Sequence, residues 1–241
     1  DPGNYEDAPR EGIRRTLEKF APEFANNGLP RGKLIPCLQK CGNDPSNSIR
    51  SVRMGTTVAT NALLEREGAR VVYLATKGHE DMLRIGNQAR PDIFDIEVRT
   101  PKLLYELALG VEERVVVGEA ASKSCKHQGE SSGGTSFAVR QALSLSETHD
   151  ELTNSLKALL KQDPQTSVAI NLLHSYLYPG HEEKLADLCE NVLKFPHVSV
   201  SSRLVPTKKA VPRGHTTVVD AYLTPKIQEY LDQFCRGFEG Y

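Results

Sequence analysis

Arg53-Met54-Gly55-Thr56-Thr57-Val58-Ala59-Thr60-Asn61-Ala62-Leu63-Leu64-Glu65-Arg66 runs into Gly68 and then into Arg70-Val71-Val72-Tyr73-Leu74-Ala75-Thr76. A glycine, two hydroxyl side chains, an apolar helical run, a second glycine and a β-branched run follow in that order. The order predicts a helix over about 57–67 with an N-cap from Thr56 or Thr57. It also predicts a close backbone approach at Gly55, a C-cap at Gly68, and a strand over about 70–76. Such a helix start offers backbone N–H groups and the positive end of the helix dipole to an anion or a carbonyl oxygen. The same pattern describes an ordinary capped helix, which is the commoner case, and spacing alone leaves both readings open.

Outward from this stretch the pattern alternates between helix and strand. Asp7 is a plausible N-cap, Pro9 suits a first turn, and Ile13, Leu17 and Phe20 share one face, so a helix over about 7–20 is expected. Residues 21–50 are rich in Pro, Gly and Asn and read as loop. A short helix is expected near 79–85 and a strand over Val111–Val117. Residues 119–136 are small and polar and read as a mobile surface insertion. Helices around Leu152–Leu160 and Leu185–Val192 then alternate with strands at Ser167–Leu173 and His197–Ser201. Thr224-Pro225 reads as an N-cap with a first-turn proline, dividing the last amphipathic region into helices near 215–223 and 225–236. Helix–strand alternation of this kind specifies an α/β fold with a mostly parallel sheet and flanking helices.

Composition narrows the function. With 30 Lys+Arg against 31 Asp+Glu in 241 residues, the chain lacks the basic excess of a nucleic-acid-binding module. Its five cysteines (Cys37, Cys41, Cys125, Cys189 and Cys235) are scattered and odd in number, which suits free thiols rather than a disulfide framework. No four of them with histidines take a recognisable zinc spacing, so no metal is assigned. No apolar run approaches membrane-spanning length and no signal peptide opens the sequence, so a soluble cytosolic (cytoplasmic) protein is expected.

The opening stretch also resembles the hydantoinase A/5-oxoprolinase family, and further blocks carry the likeness along the chain. These are Thr76-Lys77-Gly78-His79-Glu80-Asp81-Met82-Leu83, Ile85 through Asp95, Leu104-Tyr105-Glu106 with Val111-Glu112-Glu113-Arg114-Val115, and Val211-Pro212-Arg213-Gly214-His215-Thr216-Thr217 with Asp220 through Pro225. Only residues 119–150 or so fall outside it. The Pro-Arg-Gly-His form and the Phe234-Cys235-Arg236-Gly237-Phe238 ending look like the eukaryotic-type ATP-dependent 5-oxoprolinases rather than bacterial hydantoinase A subunits.

The resemblance implies the N-terminal half of an actin-like ATPase, incomplete because the family's first strands and its two phosphate loops have no counterpart between Asp1 and Tyr241. It implies residues 1–205 as the hydantoinase/oxoprolinase N-terminal region and 206–241 as the start of the hydantoinase A core. The activity implied is hydrolysis of 5-oxo-L-proline to L-glutamate coupled to ATP hydrolysis with Mg²⁺, a step of the glutathione (γ-glutamyl) cycle. The partners implied are a downstream hydantoinase A core, a hydantoinase B-like half and a second subunit in a homodimer. An N-methylhydantoinase or ketone carboxylase subunit is the alternative within the family, and a non-catalytic remnant is the alternative outside enzymes.

Ten residues are candidates for proximity to substrate or nucleotide. Arg53, Gly55, Thr56, Thr57 and Asn61 belong to the opening helix start. Asn87 and Arg90 lie in a polar, proline-braced turn where a guanidinium could fork a carboxylate, or else pair with Asp92 or Asp95 at the surface. His174 ends a buried strand, and Arg213 and His215 flank a glycine that suits a turn near a phosphate. A lone histidine at a strand end is more often a structural hydrogen-bonder. No catalytic acid or base is assigned from these separations.

Overall fold

The computed structural model describes residues 7–20, 28–29, 32–35, 51–87, 94, 96–97, 101–118, 127–130, 134–145 and 151–238. They divide into two compact units, one of Asp1–Glu65 with Lys226–Tyr241 and one of Arg66–Pro225.

In the first unit, α1 (Ala8–Phe20) forms where the amphipathic repeat placed it. Glu11 accepts from Arg14 and Arg15 one turn on, and these two guanidinium groups hold its carboxyl down to about 2. Arg14 also donates to the Leu29 carbonyl, tying the helix to the residues after it. Helix α2 (Val58–Glu65) follows the Gly55-Thr56-Thr57 turn. The end of the chain returns to this unit: Ile35 N–H donates to the Gly237 carbonyl at 2.8 Å, and the rings of Phe234 and Phe238 lie 5.2 Å apart.

The second unit is built on a four-stranded parallel sheet ordered β2-β1-β6-β7. Its strands are β1 (Val71–Thr76), β2 (Leu107–Val111), β6 (Ser167–Asn171) and β7 (His197–Val200). Both β1 and β6 are buried along their full length, as central parallel strands covered on two faces must be. Val72, Leu74, Val168 and Ile170 face a core completed by Leu156 and Leu159 of α4 (Glu151–Gln162) and by Leu185 and Ala186 of α5 (Gly180–Asp187). A π-helical turn, Leu188–Val192, continues α5 and buries Cys189, whose thiol is pushed up to about 12 by burial. On the opposite face Tyr73 and Asn171 meet α7 (Ala210–Cys235), and Tyr73 stacks on Tyr105 at 5.1 Å. The α/β architecture with a mostly parallel sheet and flanking helices is therefore present.

Several local expectations need correction. Val111–Val117 is two strands. β2 ends at Val111, and the chain turns at Glu112–Glu113 into β3 (Arg114–Val117) of a separate antiparallel sheet ordered β3-β5-β4. The break occurs because the Glu113 carboxylate is drawn into the interior by Thr76 and His181. The supposed insertion at 119–136 contains β4 (His127–Glu130), which pairs with β5 (Ser136–Gln141). Gly129 is what allows it, since a Cβ there would lie 2.7 Å from Cζ of Phe137. Residues 119–126 and 131–133 lie outside the described residues.

The terminal region is one helix, with Pro225 inside it. Thr224 gives its hydroxyl to Asp220 one turn back at 3.1 Å instead of capping a new helix. Loss of a single N–H donor is tolerated where Val218, Ala221 and Tyr222 are buried along the same helix. Arg66, not Gly68, takes the left-handed backbone after α2, at φ 61°. Gly68 is needed for a different reason: a Cβ there would run into the ring of Tyr222. At Gly55 the described residues make no close approach, since an added Cβ would meet none of their atoms within 4 Å.

Candidate functional site

Ligands of open α/β sheets bind beyond the carboxyl ends of the strands, where neighbouring crossovers leave in opposite directions. In the order β2-β1-β6-β7, the connection from β1 through α3 (Met82–Ile85) leads to β2 on one side. The connection from β6 through α5 leads to β7 on the other. The switch point therefore lies between the ends of β1 and β6, at Thr76 and at Leu172–His174.

Buried polar groups concentrate there. Thr76 donates its hydroxyl to Glu113 Oε1 and accepts the Leu173 N–H at 2.9 Å. Glu113 Oε2 lies 2.8 Å from His181 Nδ1, and the Leu143 N–H donates to His181 Nε2 at 3.3 Å. The donated amide makes Nε2 the acceptor, which places the imidazole proton on Nδ1, toward the carboxylate. Glu182 accepts the Leu172 N–H at 2.8 Å, the Ser201 hydroxyl at 2.7 Å and the Ser202 N–H at 2.8 Å. Glu113, His181 and Glu182 are all at least 98 % buried, so this network lies inside the protein and is satisfied there.

Of the sequence candidates, Arg213 joins this network. Its Nε donates to Asn171 Oδ1 and Ser201 Oγ, both at 3.0 Å, and Nη1 and Nη2 donate to the carbonyls of Thr207 and Leu172, both at 2.6 Å. The guanidinium is fully buried on protein partners and ties α7 to the sheet. Gly214 is within α7 rather than at a turn; a Cβ there would overlap the Asn171 amide and approach Leu83 Cδ2 to 2.7 Å. His215 is exposed on the same helix.

His174 lies at the switch point, half-buried and in the left-handed conformation at φ 57°. Burial holds its imidazole below the usual histidine range, the charges of Arg213, Arg114 and His79 press the same way, and Glu113 opposes them. His79, on the β1–α3 connection, has a buried Nδ1 without a hydrogen-bond partner among the described residues. Sequence reading passed over Thr76, His79, Glu113, His181 and Glu182; the His181-Glu182 pair could have been suspected as charge opening an amphipathic helix behind Pro179.

The first unit holds the other candidates. Thr56 Oγ1 accepts the Val58 N–H at 3.3 Å, and the Thr57 carbonyl accepts the Asn61 N–H at 2.8 Å, so Thr57 is the N-cap position just before α2 and Thr56 supplies the hydroxyl. Arg53, Gly55, Thr56, Thr57 and Asn61 are all exposed. Arg53 and Gly55 line a groove of about 540 Å³ with Pro9, Gly12, Ile13 and Leu17 of α1. Asn87, in the second unit, is exposed after α3. Arg90 lies outside the described residues, as do Cys37, Cys41 and Cys125.

Residues 3–193 match the family described as the hydantoinase/oxoprolinase N-terminal region. The chain belongs to this family. Within the hydantoinase/oxoprolinase family it is 46 % identical over 239 residues to "5-oxoprolinase 1" of Arabidopsis thaliana, a match covering 99 % of this chain and 18 % of that protein. It is 39 % identical over 243 residues to a 5-oxoprolinase of Dictyostelium discoideum, again over 99 % of this chain and 18 % of the relative. Among solved structures it is similar to an ATP-dependent caprolactamase from Pseudomonas jessenii, with a TM-score of 0.56 and 25 % identity over 75 % of this chain and 23 % of that one. The chain thus spans about a fifth of the length of the curated relatives it matches. Among the described residues no helix is long and apolar enough to cross a membrane.

Proposed function

We propose that this chain is the N-terminal part of an ATP-dependent 5-oxoprolinase that hydrolyses 5-oxo-L-proline to L-glutamate. The observation that carries the reading is the 46 % identity to a named 5-oxoprolinase along 99 % of the chain. An unstrained lactam resists water, and phosphorylation of its oxygen by ATP with Mg²⁺ turns it into an imidate-like electrophile. The protein's work is then positioning and charge stabilisation. The switch point at His174, where polar groups converge, suits a small polar substrate. The exposed Arg53–Thr57 helix start has chemistry that fits a phosphate or carboxylate, and Asn61, Asn87, Arg90, Arg213 and His215 remain candidates beside these two places.

The proposal includes residues 1–205 as the N-terminal region and 206–241 as the beginning of the hydantoinase A core. It also includes a hydantoinase B-like half for ring opening, a homodimer, a cytosolic location and a place in glutathione turnover. The test is oxoproline-dependent ATP hydrolysis by the complete gene product, with hydantoins as competing substrates. Turnover that prefers a hydantoin, or none with oxoproline, defeats the reading.

A further inference from the structure

The backbone over Leu172–His174 is held by side chains from three directions. Glu182 of α5 takes the Leu172 N–H, Arg213 of α7 donates to the Leu172 carbonyl, and Thr76 at the end of β1 takes the Leu173 N–H. Thr76 is itself held by Glu113, and Glu113 by His181. All five of these side chains are at least 98 % buried. What they over-determine is the next residue, a non-glycine in the left-handed region. Such a conformation is strained for a side-chain-bearing residue and persists where surrounding structure enforces it, commonly at functional sites. The strand's own ladder needs none of this, since β6 pairs on both sides up to Ile170 or Asn171.

We infer that His174 is the proton acceptor at the switch point, and that Thr76 and Glu113, backed by His181, are positioning residues that hold it there. The inference rests on the oxoprolinase reading. As the lactam oxygen bonds to the γ-phosphorus of ATP and ADP departs, the lactam N–H proton would pass to an unprotonated nitrogen of the His174 imidazole. The N–H bonding pair becomes the second C=N bond of the imidate, the C=O π pair moves onto the oxygen that bonds phosphorus, and the broken P–O pair leaves with ADP, so charge and atoms balance. An imidazole kept neutral at physiological pH is suited to receive that proton. Among the described residues, the charged and titratable groups facing it are Arg213 from α7, Glu113 from the β2–β3 turn, Arg114 at the start of β3, His79 from the β1–α3 connection, and Tyr176, whose ring lies 6.1 Å from that of His174. Among these, Glu113 alone favours the protonated imidazole, so it stabilises the product of the transfer without touching the substrate.

The complete gene product is assayed for oxoproline-dependent ATP hydrolysis from about pH 5 to about pH 8, as wild type, His174→Gln, Glu113→Gln, Thr76→Val and Thr76→Ser. His174→Gln is expected to lower kcat roughly 10²- to 10⁴-fold with little change in KM and to abolish the acid limb of the profile. Glu113→Gln keeps the imidazole but moves the acid limb to lower pH, and Thr76→Ser restores most of what Thr76→Val loses. Histidine NMR on the same proteins follows the His174 ring directly, and its midpoint falls in Glu113→Gln. A folded His174→Gln enzyme with near-wild-type kcat and an unshifted profile overturns the proton-acceptor role while leaving the oxoprolinase reading intact. A midpoint unmoved by Glu113→Gln overturns the positioning role. Wild-type enzyme inactive on oxoproline sinks the reading and the proton transfer with it, and the NMR midpoint then decides the positioning separately.

Discussion

Arg213 Nε donates to Asn171 Oδ1 at 3.0 Å, while the Asn171 amide donates to the Tyr73 hydroxyl at 2.9 Å and to the Ala210 carbonyl at 3.2 Å. One side chain at the end of β6 thereby joins two central strands to the start of α7. The buried guanidinium donates to acceptors on β6, on the residues beyond it and before α7, and through them ties the helix to the sheet.

Arg213→Ala should therefore unfold the second unit far more readily than a surface substitution. Truncation strands the Leu172 and Thr207 carbonyls and leaves the buried Glu182 carboxylate without the nearby positive charge. The loss expected is about 3 kcal/mol or more. Arg213→Lys should recover little, because one ammonium cannot reach the acceptors that the guanidinium fork spans. Urea denaturation followed by far-UV circular dichroism measures both, and a midpoint within error of wild type would sink the assignment.

Glycines separate sharply by what surrounds them. Gly214→Ala places a methyl against Asn171 and Leu83 and should cost about 1–3 kcal/mol through overpacking, despite alanine's better helix propensity. Gly55→Ala meets nothing within 4 Å among the described residues and should leave the melting temperature unchanged. Equal shifts in the two variants would contradict the packing account.

Removing residues 119–136, which composition alone marks as dispensable, should instead destabilise. β4 would be lost, and with it the backbone pairing of Phe137 in β5 to Gly129. A milder version is Gly129→Val, which collides with the Phe137 ring and should reduce stability by about 1–3 kcal/mol. Thermal melts that do not move in either protein would show that the small sheet carries no stability.

His174 also sets a pH dependence. Its folded value is below the unfolded one of 6.5, so the unfolded chain binds more protons in the interval between them. Its contribution is complete above about pH 6.5 and is lost as pH falls through the folded value. Asp220, lowered first by its hydrogen bond from His197 and then by Ser199 and Thr224, adds a second loss further down, below the ordinary aspartate value of 3.8. Stability curves measured against pH should lose the upper step in His174→Gln and the lower one in Asp220→Asn. Curves that keep both steps would show that other groups carry them.

Local pattern determined much of this protein. The 3.6-residue recurrence of Ile13 and Leu17, the hydroxyl pair before α2, and the β-branched runs at Val71 and Val168 specified α1, α2, β1 and β6, because helix and strand periodicities are short-range properties of the chain. The ordered motif blocks specified the family. Tertiary structure decided where pattern is silent. Leu107-Ala108-Leu109-Gly110-Val111 is a strand because β1 offers it a partner, and Pro225 lies within a helix because burial of that helix outweighs one missing hydrogen bond. His174 was legible as a strand-end histidine. Its left-handed backbone, and the ties from Glu182, Arg213 and Thr76 that impose it, join positions up to 97 residues apart. No sequence window contains such a relation, since it exists only once the parallel strands have been brought side by side.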